Sequence, residues 1–107
     1  MSDYQHRARK RFGQNFLHDE ALAAKLVRTA GVGAQDGVLE IGTGLGILTR
    51  ALAGVAAKVV TVEIDGGLVR ALEAEQALPG NVRLIHADAL ALDLEEEVAR
   101  LGPSVRV

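Results

Sequence analysis

The feature that most constrains this chain is an alternation. Three times, a short run rich in Val, Leu and Ile ends in glycine or acid and passes into a stretch with helical spacing. The runs are Val38-Leu39-Glu40-Ile41, Lys58 to Asp65, and Val82-Arg83-Leu84-Ile85-His86; the stretches are Leu45 to Ala53, Leu68 to Leu78, and Leu92 to Leu101. The run from Lys58 is β-branched and nearly continuous, as in a parallel strand covered on both faces; a strand with one wet face would alternate. Three strand–helix repeats predict an α/β protein with a parallel sheet. Ahead of the first strand, Asp19 is placed to cap a helix through Leu22, Leu26 and Val27 that Gly31 stops. Pro79-Gly80-Asn81 predicts a turn, and Gly102-Pro103 breaks the third helix ahead of Ser104 to Val107, which reads as the opening of a fourth strand. On this reading the chain is the amino-terminal piece of a longer protein.

Composition narrows the functional classes. The 107 residues are 49% hydrophobic and 24% charged, enough for one domain near the lower size limit of an α/β core. The absence of cysteine excludes disulfide frameworks, thiolate metal sites and cysteine nucleophiles. His6, His18 and His86 are dispersed without ligand spacing, so no metal site is expected. Glu95-Glu96-Glu97 reads as a solvated helix start favoured by the helix dipole. Ser2 and Ser104 have no histidine nearby in sequence, which disfavours a serine nucleophile. No apolar run approaches the roughly 20 residues needed to span a bilayer, and Met1 to His6 lacks the apolar core of a signal peptide. A cytoplasmic protein without a membrane partner is the expectation.

Charge is unevenly placed. Arg7, Arg9, Lys10 and Arg11 face only Asp3 within the first eleven residues, leaving eight basic and thirteen acidic residues, a net −5, for the remainder. Four clustered cations can neutralise nucleic-acid phosphates and give salt-dependent RNA affinity; the same cluster also suits a solvated terminus. Residues 1–18 are accordingly read as a basic arm and a covering segment, and residues 19–107 as a partial ligand-binding domain.

The candidate site begins at Glu40-Ile41-Gly42-Thr43-Gly44-Leu45-Gly46, at the carboxyl end of the first strand. Glycines there let a backbone approach a ligand, and the following helix aims its N–H groups at it, although glycine also makes any tight strand-to-helix turn. A dinucleotide fingerprint would need a glycine at position 47, which is Ile47. Glu63 follows Gly42 by 21 residues, where a strand-end acid can accept hydrogen bonds from ribose hydroxyls. His86-Ala87-Asp88-Ala89-Leu90 brings another carboxylate to the same edge, suited to an adenine amino group. Each acid alone also suits an ordinary loop carboxylate; together, at successive strand ends, they outline an adenosine-shaped site.

With Lys10-Arg11-Phe12-Gly13-Gln14-Asn15-Phe16-Leu17 ahead of it, and with Val62-Glu63-Ile64-Asp65 and Asp88-Ala89-Leu90 behind it, this loop resembles the ribosomal RNA adenine dimethyltransferase family. The resemblance covers about the whole chain, and its most specific block is the Gln-Asn-Phe-Leu segment. It implies a Rossmann-like class I methyltransferase fold, truncated after about three βα units, with strands in the order 3-2-1-4. It implies S-adenosylmethionine as cofactor and small-subunit ribosomal RNA as partner, with Arg7, Arg9, Lys10 and Arg11 on the RNA. Asn15 and Leu17 would contact the cofactor, Gly42 and Gly44 would line its methionine part, Glu63 would bind the ribose and Asp88 the adenine amine. Ile64 and Ala89 would flank the adenine ring.

One departure stands out. The family usually has proline where this chain has Thr43, which is expected to change loop stiffness more than ligand identity. The family's Asn-Leu-Pro-Tyr type segment, which accepts protons from the target amine and stacks the base, would follow a fourth strand. None of these residues supplies that role, so the chain alone is expected to be inactive and to self-associate through its open sheet edge. Two other classes remain: a non-catalytic nucleotide- or RNA-binding assembly module of the same fold, and a dinucleotide oxidoreductase domain, which Ile47 disfavours.

Overall fold

The structure, a computed structural model, describes residues 19–102 and 105–106. Helix α1 (Glu20–Ala30) opens at Asp19, whose carboxylate accepts from the Leu22 N–H at 2.9 Å, and closes at Gly31 in the left-handed region. Both ends follow from local chemistry, a side-chain cap at one and a residue without Cβ at the other. Strand β1 (Gly37–Ile41) then leads through a glycine loop to α2 (Ile47–Ala53), β2 (Lys58–Glu63), α3 (Gly66–Ala74) and β3 (Val82–His86). A 3-10 turn (Ala89–Ala91), α4 (Leu94–Leu101) and β4 (Val105–Arg106) complete the described chain.

The sheet is parallel in the order β3-β2-β1-β4, as expected. Register aligns Gly37 with Lys58 and Ile41 with Val62, and Val59 with Val82 and Glu63 with His86, so three strands end at one edge. Side-chain alternation assigns the two faces. Val38 and Val59 join Val27 of α1 and Leu52 of α2 on one side, whereas Leu39, Val60 and Val62 join Leu101 of α4 on the other. Leu72 of α3 borders Val82 and Leu84 on the first side. Burial on both faces explains why β2 reads as an unbroken apolar run. At Gly37 a Cβ would sit 2.8 Å from both the Cβ and the carbonyl oxygen of Leu101, so only glycine lets the end of α4 lie against β1.

Several boundaries differ from the sequence expectation, each for a capping reason. Gly46, at φ 85°, is not helical, so α2 starts at Ile47 and Leu45 belongs to the loop. Asp65 caps α3, accepting from Gly67 and Leu68 N–H at 2.8 and 3.2 Å; strand β2 therefore ends at Glu63 and the helix begins at Gly66. That helix ends at Ala74, short of Leu78, and Gln76 turns the chain at φ 50°. Asp93 caps α4, accepting from Glu96 N–H at 3.0 Å, so the helix starts at Leu94.

The reading of Glu95-Glu96-Glu97 as a solvated run needs correction at its last member. Glu97 is buried, and its carboxylate accepts from Arg83 of β3 at 2.6 Å and lies 3.6 Å from Arg100. Helical spacing turns Glu97 towards the sheet with Leu101, and the arginine reaches across from an edge strand to neutralise it. Among the described residues no helix is long and apolar enough to cross a membrane.

Candidate cofactor site

The glycine loop is built on three left-handed residues, Gly42, Gly44 and Gly46, at φ 91°, 58° and 85°. These angles turn the chain from β1 into α2 within five residues, a path that side-chain-bearing residues rarely follow. Gly42 N–H donates to the Val62 carbonyl at 2.7 Å, extending the β1–β2 ladder one residue past the strand. Beyond it, among the described residues and apart from its chain neighbours, no heavy atom lies within 4 Å of where a Gly42 Cβ would stand.

Glu63 sits against this loop. Its Oε1 accepts from Gly44 N–H at 2.9 Å and its Oε2 from Asp65 N–H at 3.0 Å, and the residue is buried. A carboxylate offers about four acceptor positions, so each oxygen keeps one for a hydroxyl donor arriving from the open side. The Glu63 carbonyl accepts from Ala87 N–H at 3.1 Å, which draws the end of β3 to the same edge. One residue further, exposed Asp88 caps the 3-10 turn by accepting from Leu90 N–H at 2.9 Å. Ile64 is 65% exposed beside Glu63, a large apolar surface at the edge. The half-buried Ala89 packs on the cluster around Leu39 and Val62.

The structure thus hydrogen-bonds Gly44 to Glu63 and Gly42 to the neighbouring Val62, and carries Ile64, Asp88 and Ala89 to the same edge. Asn15 and Leu17, and the cations Arg7, Arg9, Lys10 and Arg11, lie outside the described residues.

A second layer beneath the loop escaped the sequence reading. Glu40 Oε1 accepts from Thr61 Oγ1 at 2.7 Å and also from Thr49 Oγ1, and Thr43 Oγ1 lies 2.6 Å from Thr61 Oγ1. All four residues are buried. Because the single Thr61 proton goes to Glu40, Thr43 is the donor to Thr61, and the chain of hydroxyls runs from the loop down to one carboxylate. Burial pushes the Glu40 carboxyl above the usual glutamate range; the bonds from Thr49 and Thr61 act against this, and the neighbouring Glu63 charge adds to it. The pairing follows from register, which sets Glu40 of β1 beside Thr61 of β2. Polar residues facing each other inside such a sheet have to satisfy one another.

An apolar cleft of about 620 Å³ opens between α1, β1 and α2, lined by Leu26, Val38, Ile41 and Leu48 with Glu40 at its border. The residues that converge on Glu63 lie outside its lining. The hydrogen-bonding groups therefore place the candidate site at the glycine loop rather than in this cleft.

A family model described as ribosomal RNA adenine dimethylase matches residues 5–104. The chain is 46% identical over 93 residues to ribosomal RNA small subunit methyltransferase A of Pseudomonas putida, covering 87% of this chain and 35% of that protein. It is 50% identical over 91 residues to the protein of the same name from Moorella thermoacetica, covering 85% and 32%. The chain spans about a third of the length of these curated relatives. Among solved structures, the 23S rRNA methyltransferase ErmE superposes with a TM-score of 0.62 at 35% identity, over 70% of this chain and 31% of that one. A dimethyladenosine transferase from Plasmodium falciparum gives 0.58 at 30% identity, over 66% and 26%. The fold is the Rossmann-like methyltransferase fold, and the chain belongs to the ribosomal RNA adenine dimethylase family.

Proposed function

We propose that this chain is the S-adenosylmethionine-binding part of a ribosomal RNA adenine N6-dimethyltransferase that acts on the small ribosomal subunit. The observation that carries the reading is the Glu63 carboxylate held against the Gly44 amide, with acceptor capacity left on its open side. Family membership and the names of the curated relatives support it.

The residues fit an adenosine group. Glu63 accepts from the ribose hydroxyls, and Asp88 accepts from the adenine amine through the carboxylate capacity that its turn leaves over. Ile64 packs on the ring, and Ala89, whose methyl is committed to the core, borders it through its backbone. Gly42 and Gly44 line the methionine part, and Asn15 and Leu17 contact the cofactor. When bound, S-adenosylmethionine supplies an electrophilic methyl group on a sulfonium. The work of these residues is to fix its position, because alignment supplies much of the rate in a displacement of this kind. Arg7, Arg9, Lys10 and Arg11 contact ribosomal RNA phosphates, a contact that weakens with salt. We assign proton acceptance from the target amine to no residue of these 107, and assign to β4, an edge of the described sheet, self-association by strand addition. The cytoplasm is the compartment this reading requires.

Calorimetric titration of the 107-residue chain with S-adenosylmethionine, with NAD as control, tests the reading. The expected result is saturable binding of S-adenosylmethionine alone, with no methyl transfer to undermethylated small subunits by this chain. Equal binding of NAD, or no binding of either, overturns it.

A further inference from the structure

We infer that Thr43 is a positioning residue for the cofactor loop, acting through its hydroxyl on Thr61 and Glu40 to hold the Gly44 amide on Glu63. The inference rests on the reading of this loop as the S-adenosylmethionine site and adds a residue with no assigned role there.

Three left-handed glycines within five positions give the loop many backbone states when no ligand holds it. Leu45 is exposed, whereas Thr43 is buried with its hydroxyl 2.6 Å from Thr61 Oγ1. Thr61 is fully buried in the central strand β2, and its own proton is committed to Glu40, which Thr49 of α2 also engages. Loop, sheet and following helix are therefore joined at one carboxylate. Thr43 lies between Gly42, which donates to Val62, and Gly44, which donates to Glu63. Fixing its side chain fixes the two peptide units that present those donors. A residue that reduces loop freedom before binding leaves less ordering to be done on binding, and affinity rises by that difference. A proline at this position would restrict φ; Thr43 reaches the same end through a hydrogen bond to the sheet, so the expectation of a merely altered stiffness is replaced by a specific anchor.

The test compares Thr43→Val, which keeps the shape and removes the hydroxyl, with Thr43→Ser, which keeps the hydroxyl. Amide hydrogen exchange is followed by NMR in the ligand-free 107-residue chain, and S-adenosylmethionine affinity by calorimetry. In Thr43→Val, exchange at Gly44 and Leu45 should accelerate about 3–10-fold relative to core amides such as Val60, with affinity falling by a similar factor. Thr43→Ser should restore both to within about twofold. Equal effects of Val and Ser, unchanged exchange at Gly44, or an acceleration spread evenly over β1 and β2 would overturn the inference, the last outcome marking a structural role only. If Thr43→Val does not fold, Thr43→Ala against Thr43→Ser makes the same comparison. If the unaltered chain binds no S-adenosylmethionine, the functional reading fails while the exchange measurement still decides the role of Thr43.

Discussion

The loop after β1 is tied to residues 18 and 19 positions away, through Thr43 to Thr61 and Gly44 to Glu63. Past Ala87, whose N–H donates to the Glu63 carbonyl, the hydrogen bonds of the turn after β3 among the described residues reach two or three positions: Leu90 N–H to the Asp88 side chain, Ala91 N–H to its carbonyl, and Leu92 N–H to Ala89. Thr43 is buried, whereas Leu90 is 95% exposed. Both segments lie at the same sheet edge, but the side chain of Thr43 hydrogen-bonds into the core, whereas the Asp88 side chain hydrogen-bonds only within its own turn among the described residues. Long-range anchors make a group costly to move; local ones leave it adaptable.

Removing the Glu63 carboxylate, which holds the loop after β1 to the end of β2, should have the largest effect. Glu63→Ala strands the Gly44 and Asp65 amides and deletes the proposed ribose acceptor, so S-adenosylmethionine affinity should drop about 10–100-fold, or about 1–3 kcal/mol, by calorimetry. Unchanged affinity would make Glu63 a purely structural tie.

Asp88→Asn sharpens the contrast, since an amide oxygen preserves the turn while an amino group replaces an acceptor. Affinity should fall about tenfold with little change in melting temperature. A large stability loss would mean that the turn after β3 is as deeply anchored as the loop after β1.

Glu40 tests the anchored half by pH. Its folded-state pKa lies above its unfolded one, so between the two the native state holds more protons. Its contribution to stability is therefore greatest below the unfolded value and is lost as pH rises through the folded one. Urea unfolding across this window should show the unaltered chain losing stability relative to Glu40→Gln as pH increases. Parallel curves would refute the assignment. The smallest effect belongs to Leu90→Ala, expected within about 0.5 kcal/mol of the parent in the same assay, because little native packing is lost.

How much of this was legible in sequence divides along the same line. Asp19 and Gly31 bounded α1 correctly because their signals act within one turn. The spacing of Gly42 to Glu63 put the glycine loop beside a strand-end acid because parallel strands bring successive ends to one edge. Apolar periodicity could not register that Asp65 and Asp93 cap helices, since an acid beside an apolar run looks the same whether it ends a strand or starts a helix. The hydroxyl chain under the loop was hidden for another reason: Thr61 is a good strand former, and nothing within β2 says that its oxygen has a carboxylate opposite. Only the register of two strands reveals it.

The strand order has a consequence for how the molecule comes into being. In β3-β2-β1 every neighbour in space is also the next strand in sequence, with pairings such as Gly37 with Lys58 and Val59 with Val82 spanning 21 and 23 residues. The β1–β4 pairing of Gly37 with Val105 spans 68. Short closures form early and long ones late. A chain emerging amino terminus first can therefore complete the edge that carries Gly44, Glu63 and Asp88 before the strand on the far side of β1 exists, so the half that carries the proposed site matures first and serves as the template on which β4 adds.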